Sequence, residues 1–327
     1  MIYDIIGDIH GQADKLIGLL RHLGYQDNGR FWQAPQGHQA IFIGDLIDRG
    51  HRQLDTLNIV FNMIDGGSAL AVMGNHEYNA IAYATPHPDG GFCRPHTERN
   101  TGQHQAFLDE VGFGTDLHHF WLNRLYQLPL WLDLPEAHII HACYDAASMA
   151  VLRPILTNKN TLTPQAVIAS SMDNTPEFHA LERLLKGIEC PLPEGVLLTD
   201  GHGIIRTRTR IKWWIDDWQH QPLAKIAQLG SHASINLADD SPVLPTPCSF
   251  ALTTDKPIFI GHYWLDGTPA LLCHQVACTD YSAGKDGFLT AYQFDTNKPA
   301  LTNAGFVQYH HHHDTLCRFD SFFMENK

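Results

Sequence analysis

The chain has 327 residues, 44% of them hydrophobic and 17% charged, with a formal net charge of −13. That length supports a sizeable core, while the acidic balance argues against a binder of nucleic-acid backbone, which wants a basic face. No apolar stretch approaches the roughly 20 residues that span a bilayer, and the seven cysteines include no Cys-x-x-Cys pair, so they read as free thiols in a reducing, cytoplasmic setting.

Met1 leads at once into an apolar run at 2–6, which reads as a core strand rather than a leader peptide. It ends in Gly7-Asp8-Ile9-His10-Gly11, after which Leu16, Leu19, Leu20 and Leu23 fall on one helical face. A second strand at 40–43 stops at Gly44-Asp45-Leu46-Ile47-Asp48-Arg49-Gly50, and Leu54, Leu57, Phe61 and Ile64 mark the helix behind it. A third, at 69–73, runs into Gly74-Asn75-His76-Glu77, and a fourth, at 138–140, gives His138-Ile139-Ile140-His141. From about 145 to 257 the character changes. Thr163-Pro164 reads as an N-cap and first-turn proline, 177–186 as a helix, and 191–195 as a turn; Asp200-Gly201-His202-Gly203 reads as a hairpin turn. A fifth strand at 257–260 ends in Gly261-His262, and apolar runs at 270–273 and 289–294 close the series. Strand-loop-helix units in succession predict an α/β or α+β layered fold. We expect one domain over 1–327, with an elaboration at about 145–257 between the fourth and fifth patches.

Each of the five patches begins where a strand stops, and ligands gather on such loops because a rigid base holds them. Two divalent metals about 3.5–4 Å apart can acidify a water, orient a phosphate and neutralise charge as a phosphoester breaks. They need a bridging carboxylate and a mixture of oxygen and imidazole donors. Asp8 and His10 alternate along an extended segment and can reach one metal. Asp45 is the natural bridge, Asn75 offers an amide oxygen, and His141 and His262 complete the second metal. His138 competes with His141, but the strand-to-loop order favours the later residue. Such a donor set suits Mn, Fe or Zn better than Ca. Taken singly, an Asp at a strand end is more often a cap or turn former, and a buried His a hydrogen-bonded core residue; the five patches together carry the metal reading.

The patches resemble the calcineurin-like metallophosphoesterase superfamily, whose pattern is GDxH, GDxxDRG, GNHE, a later His and a final GH. Asp48-Arg49-Gly50 and Glu77 look like the phosphoprotein-phosphatase branch, with its bacterial members and the symmetrical diadenosine tetraphosphatases. The resemblance is close over 1 to about 85, then local at His141 and His262. It implies an αββα core of two packed mixed sheets flanked by helices, with a dinuclear site at the strand ends and attack by a bridging hydroxide. It also implies that Asp8, His10 and Asp45 hold one metal and Asp45, Asn75, His141 and His262 the other. His76 would protonate the leaving group, oriented by Asp48, and Arg49 would clamp phosphate in bidentate fashion. On residue chemistry alone His76 could be a packed turn residue and Arg49 a salt-bridged surface one. Two positions depart from relatives: Trp264 stands where many diesterases have a second His after the final GH, and Met73 where eukaryotic phosphoprotein phosphatases carry Arg.

Arg206, Arg208, Arg210 and Lys212 alternate with Thr207, Thr209 and Ile211. In one strand, that period places four cations on one face, either as a guarded solvent edge or as a substrate-binding stripe in which Arg206 and Arg210 join Arg49. The run His310 to His313 is a loose second metal reading or a surface run, and is left out of the site. The expected function is metal-dependent hydrolysis of phosphomonoesters, with phosphorylated Ser or Thr leading and a dinucleoside polyphosphate as the alternative. A non-catalytic metal-binding scaffold is the rival of another class; it would be expected to lose ligands that this chain keeps. The cofactors are expected to be two divalent ions, Mn foremost with Fe or Zn possible. The partner is expected to be a phosphorylated substrate, and neither duplex nucleic acid nor a membrane.

Overall fold

Alternation along the strands sorts the apolar side chains into two layers. Ile5, Ile41, Ile43, Val72, Ile139, Phe259 and Ala277 point into one buried cluster. Their chain neighbours Ile6, Phe42, Ile140, Ile258, Ile260, Val276 and Cys278 belong to another, shared with the helices. The first cluster is therefore the seam between two sheets, and the second is the packing of helices on their outer faces. The computed structural model describes residues 1–199, 205–229, 250 and 252–310, and the backbone of 234–235 and 315–318. The Asp200–Gly203 hairpin and His311 to His313 lie outside the described residues.

The larger sheet has the order β11-β10-β9-β1-β2-β3. Its strands are β1 (Ile2–Ile6), β2 (His38–Phe42), β3 (Ala69–Ala71), β9 (Phe288–Asp295), β10 (Phe306–His310) and β11 (Thr315–Arg318), with β8 (Asp280–Tyr281) paired to β9. β1, β2 and β3 run parallel, and β9 returns antiparallel on β1. The second sheet, β7-β6-β5-β4, comprises β4 (Trp131–Asp133), β5 (His138–Ile140), β6 (Ile258–Ile260) and β7 (Val276–Cys278). Here β5, β6 and β7 are parallel and β4 is antiparallel. Both sheets are mixed, and Phe259 of β6 stacks 5.3 Å from Tyr292 and 5.2 Å from Phe294 of β9 across the seam. This is the two-sheet αββα arrangement that the resemblance implied.

Helices α1 (Ala13–His22) and α2 (Gln53–Asp65) follow the first two motif loops; α1 buries Leu16, Leu19 and Leu20 of the stripe read from the sequence, and α2 buries Leu57 and Phe61 with Leu54 and Ile64 half-buried beside them. Helix α3 (Asn75–Ala84) starts inside the third motif. Helices α4 (Glu98–Val111) and α5 (Asp116–Leu125) pack nearby and are capped by Thr97 and Thr115. In the elaboration, α6 (Ala146–Leu152) packs with α8 (Pro176–Lys186), and α7 (Pro164–Ser171) starts at the Thr163 cap, whose hydroxyl accepts from Ala166 N. Two small three-stranded sheets follow. The apolar run at 270–273 is not a strand. Its residues stay half-exposed or exposed, and the strand is Val276–Cys278, where all three side chains are buried. No helix among the described residues is long and apolar enough to cross a membrane.

Candidate metal centre

Five parallel strands deliver the motif residues. Asp8 and His10 follow β1, Asp45 follows β2, Asn75 follows β3, His141 follows β5 and His262 follows β6. Within this group, donor atoms of His10, Asp45 and His76 form one candidate ion-holding set, and those of Asp45, His141 and His262 another. Asp45 is thus common to both. Its Oδ2 lies 3.6 Å from His10 Nε2 and 3.9 Å from His76 Nε2, and its Oδ1 lies 3.4 Å from His141 Nε2. Asn75 Oδ1 is 3.2 Å from the same His141 nitrogen. Asp8 belongs to neither set; its carboxylate accepts the His262 backbone N–H at 3.1–3.2 Å. His138 is excluded from the site, because its ring is held by Asp133 and Thr254.

The imidazoles are oriented as ligands. His10 Nδ1–H donates to the Ile47 carbonyl at 2.9 Å and His141 Nδ1–H to the Ile43 carbonyl at 2.8 Å, which turns each Nε2 toward the centre. His10 Nε2 and both ring nitrogens of His262 are buried without a hydrogen-bond partner. Unpartnered buried polar atoms are costly, and a divalent cation would satisfy them. The charge balance agrees. Burial, then Arg49, holds the His10 pKa well below its usual value, and burial, then Arg210, does the same for His262; both are kept in the neutral, ligand form. Burial and then Asp280 push the Asp8 carboxyl well up. At His141 burial opposes charge, but Asp45 and Asp8 lift it to about 10. The residues fit a pair of divalent ions.

The backbone is bent to make this possible. Among the described residues, six of the ten non-glycine residues at positive φ are His10, Asp45, Asp48, Arg49, His262 and Trp264, and such strain gathers where surrounding structure over-determines a site. The motif glycines admit the close approaches. A Cβ on Gly74 would stand 2.3 Å from Asp45 N and Oδ1, and one on Gly261 would stand 2.1 Å from Asp8 Oδ1.

Residues 1–146 match the family model described as calcineurin-like phosphoesterase. Over that segment the chain is similar to this family. It is 37% identical over 142 residues to the asymmetrical bis(5'-nucleosyl)-tetraphosphatase PrpE of Oceanobacillus iheyensis, covering 43% of this chain and 55% of that protein. Over 76 residues it is 41% identical to the PrpE of Halalkalibacterium halodurans, covering 23% and 31%. It is also 31% identical over 138 residues to the symmetrical bis(5'-nucleosyl)-tetraphosphatase of Vibrio cholerae, covering 42% and 43%. The chain therefore spans between 31% and 55% of the length of these relatives. Among solved structures, a cold-active protein tyrosine phosphatase aligns over 97% of this chain and 78% of its own, at a TM-score of 0.48 and 18% identity. That degree of likeness says nothing about substrate.

Beside the candidate ligands stand residues that the sequence did not single out. Glu77 was visible in its motif but without a role. Its carboxylate accepts backbone N–H groups from Asp45, Leu46 and Gly74 at 2.8–2.9 Å and from Ile47 at 3.3 Å, stapling two ligand loops together. Its place three residues after Gly74, at the third position of α3, is a capping signal that could have found it. Asp280, buried, takes the backbone N–H of Trp264 at 2.7 Å and of Ser282 at 3.0 Å. Lys15 donates to the carbonyls of Ala283, Lys285 and Gly287 at 2.8–2.9 Å, fixing the loop that ends at β9. His104, from α4, reaches Asp48.

The centre opens into a cavity of about 1290 Å³. Among the described residues, Arg49, Arg94, Arg99, Lys186, Arg206, Arg208, Arg210 and Lys285 line it, with Asp109, Glu189, Asp266 and Asp286 as the acidic groups. The stripe expected from residues 206–212 needs correction. Ile205–Arg206 and Arg208–Ile211 are separate strands in different small sheets, and the chain crosses between them at Thr207, whose carbonyl accepts Leu192 N. Arg206, Arg208 and Arg210 nevertheless line the cavity with Arg49, while Lys212 does not. Trp264, where a second imidazole stands in many diesterases, is a platform for cations. Arg210 lies 4.8 Å and Arg49 5.8 Å from its ring centroid.

Proposed function

We propose that this chain is a metal-dependent phosphoesterase whose centre is built by Asp8, His10, Asp45, Asn75, His141 and His262. The observation that carries the reading is the convergence of Asp45, His10, His141 and His262, with buried imidazole nitrogens that have no protein partner. Two divalent ions held there, with Mn, Fe or Zn suited to the donors, would acidify a water, orient the phosphate and offset developing charge. The protein's own groups do the rest. His76 donates Nδ1–H to Asp48 Oδ2 at 2.6 Å, which fixes its ring with Nε2 toward the centre. Burial opposes charge on His76, but Asp45 and Asp48 raise its pKa above the usual value, as suits a donor of a proton to the leaving oxygen. Arg49, at the cavity wall beside Trp264, is placed to bind phosphate oxygens.

For the substrate, the cavity favours a chain of several phosphates over the phosphorylated Ser or Thr that led from the sequence. Eight cationic side chains against four acidic ones line the cavity of a protein of net charge −13, and although Lys186 and Arg208 are paired with Glu182 and Glu189, the positive excess suits more than one monoester dianion. A dinucleoside polyphosphate, the class in the relatives' names, fits this wall. Residues 145–257, which supply four of those cations, act in this reading as the substrate-recognition part of a single domain. Metal-stripped protein reloaded with Mn²⁺ and given diadenosine tetraphosphate, phosphopeptides and p-nitrophenyl phosphate tests the proposal. We expect kcat/KM to be highest for the dinucleotide. Preference for phosphopeptides would reverse the substrate reading, and inertness toward all three with Mn, Fe and Zn would end the phosphoesterase reading and restore the scaffold.

A further inference from the structure

Asp48 is gripped twice. Its Oδ2 accepts from His76, and its Oδ1 accepts Nδ1–H of His104 at 2.9 Å. Its backbone is held as well, by Asp48 N donating to Gln53 Oε1 at 2.7 Å, at a left-handed φ of 69°. His104 comes from α4, far along the chain, and is 3% exposed. The helix is docked on the same loop at a second point, where Glu110 accepts Gln53 N at 2.7 Å and Leu54 N at 2.8 Å. If His104 only filled space, its contacts would be apolar. Phe107 and Tyr83 do pack on its ring at 5.1 and 5.4 Å. The Nδ1 edge, however, is spent on the one carboxylate that orients His76.

We propose that His104 is a positioning residue for leaving-group protonation: by holding Asp48 Oδ1 it keeps Oδ2 committed to His76 and so fixes the direction of His76 Nε2. The inference rests on the phosphoesterase reading above. A carboxylate with a separate imidazole on each oxygen cannot turn about its Cβ–Cγ bond without breaking a buried hydrogen bond. Burial favours the neutral acid at Asp48, yet the bonds from His104 and His76 overcome this and hold its pKa down to about 2. It remains an acceptor for both imidazoles. In the reaction the P–O bond to the leaving group breaks, its electron pair goes to the leaving oxygen, and that oxygen takes the proton from His76 Nε2. The attacking water, whose oxygen forms the new P–O bond, gives up the proton that restores His76.

General acid catalysis matters most when the leaving group is poor, and that supplies a readout which mere structural damage would not move. The test compares kcat on phenyl phosphate, a poor leaving group, with kcat on p-nitrophenyl phosphate, a good one, using the Mn²⁺-loaded full chain. For His104→Leu we expect kcat on phenyl phosphate to fall about tenfold further than on p-nitrophenyl phosphate, with KM unchanged. His104→Asn, which keeps an N–H donor near the Nδ1 position, should regain most of the loss. In a His76→Asn background the His104 substitution should have no further effect on the ratio. His104→Gln replaces His104→Leu in the same comparison if the latter does not fold. Equal losses on both substrates, or no loss, in an active protein would overturn the role of His104 alone. A wild-type protein inert on both substrates with Mn, Fe and Zn would overturn the phosphoesterase reading, and this inference with it.

Discussion

The ligand loops and the arginine wall line one cavity but are held in contrasting ways. Around Asp45, four backbone amides converge on Glu77, glycines let loops touch, and site residues sit in strained left-handed backbone. Arg206 and Arg208, by contrast, stand on strands of two and four residues in different small sheets, half-exposed and exposed. Arg210 lies between them in character, pinned by the Lys186 carbonyl at 3.1 Å and by Trp264. On the proposed function, the difference is what the two tasks demand. Reacting atoms must be placed to a fraction of an ångström, whereas a flexible polyanion can be met by long side chains that adapt.

The sharpest way to break this contrast is Asp45→Asn. Removing the shared carboxylate should lower kcat by about 10³-fold or more and reduce bound metal, read by steady-state kinetics and elemental analysis. Retained activity with paired metal would separate chemistry from the ligand loops. Glu77→Gln comes next. It touches no candidate ligand side chain yet replaces one acceptor oxygen by a donor among buried amides, so metal affinity should drop about 10- to 100-fold. A titration with Mn²⁺ checks it. On the wall, Arg210→Ala and Arg206→Ala should raise KM for diadenosine tetraphosphate about tenfold while lowering kcat less; unchanged kinetics in both would remove the wall from recognition.

Two smaller effects concern the supports. Lys15→Met leaves three carbonyls without their shared donor and should cost about 3 kcal/mol, measured by urea denaturation. His118, 1% exposed, is held neutral: burial first, then His104 and His119, lower its pKa to about 4. The unfolded chain therefore binds the extra proton as pH falls below about 6.5, so stability is full above that pH and shrinks toward pH 4. The loss should reach about 2 kcal/mol at pH 5 and be absent in His118→Leu. An unaltered pH profile in that variant would exclude His118 as its source.

Most of the candidate ligand side was legible as a convergence of loops because its signals are local. Apolar runs at 2–6 and 138–140 match β1 and β5 in both bounds, and the motif following each strand carries the donors. What escaped depends on contacts between distant segments. Nothing near His104 in the sequence points to Asp48, and Lys15 meets its three carbonyls 268 or more residues away. The 270–273 run misled because its apolar content equals that of the true strand and only packing chose between them. The arginine stripe misled for a related reason. Its period of two was real, but Thr207 leaves one small sheet for another, and alternation in sequence cannot reveal that crossing.

The Glu77 staple has a practical corollary. Because a carboxylate of the protein ties the loops around Asp45, part of the socket is held by bonds that do not depend on a cation. On the proposed function, ions would then leave and return with those ties intact. Stripping and reloading such a protein should be a reversible exchange rather than a refolding.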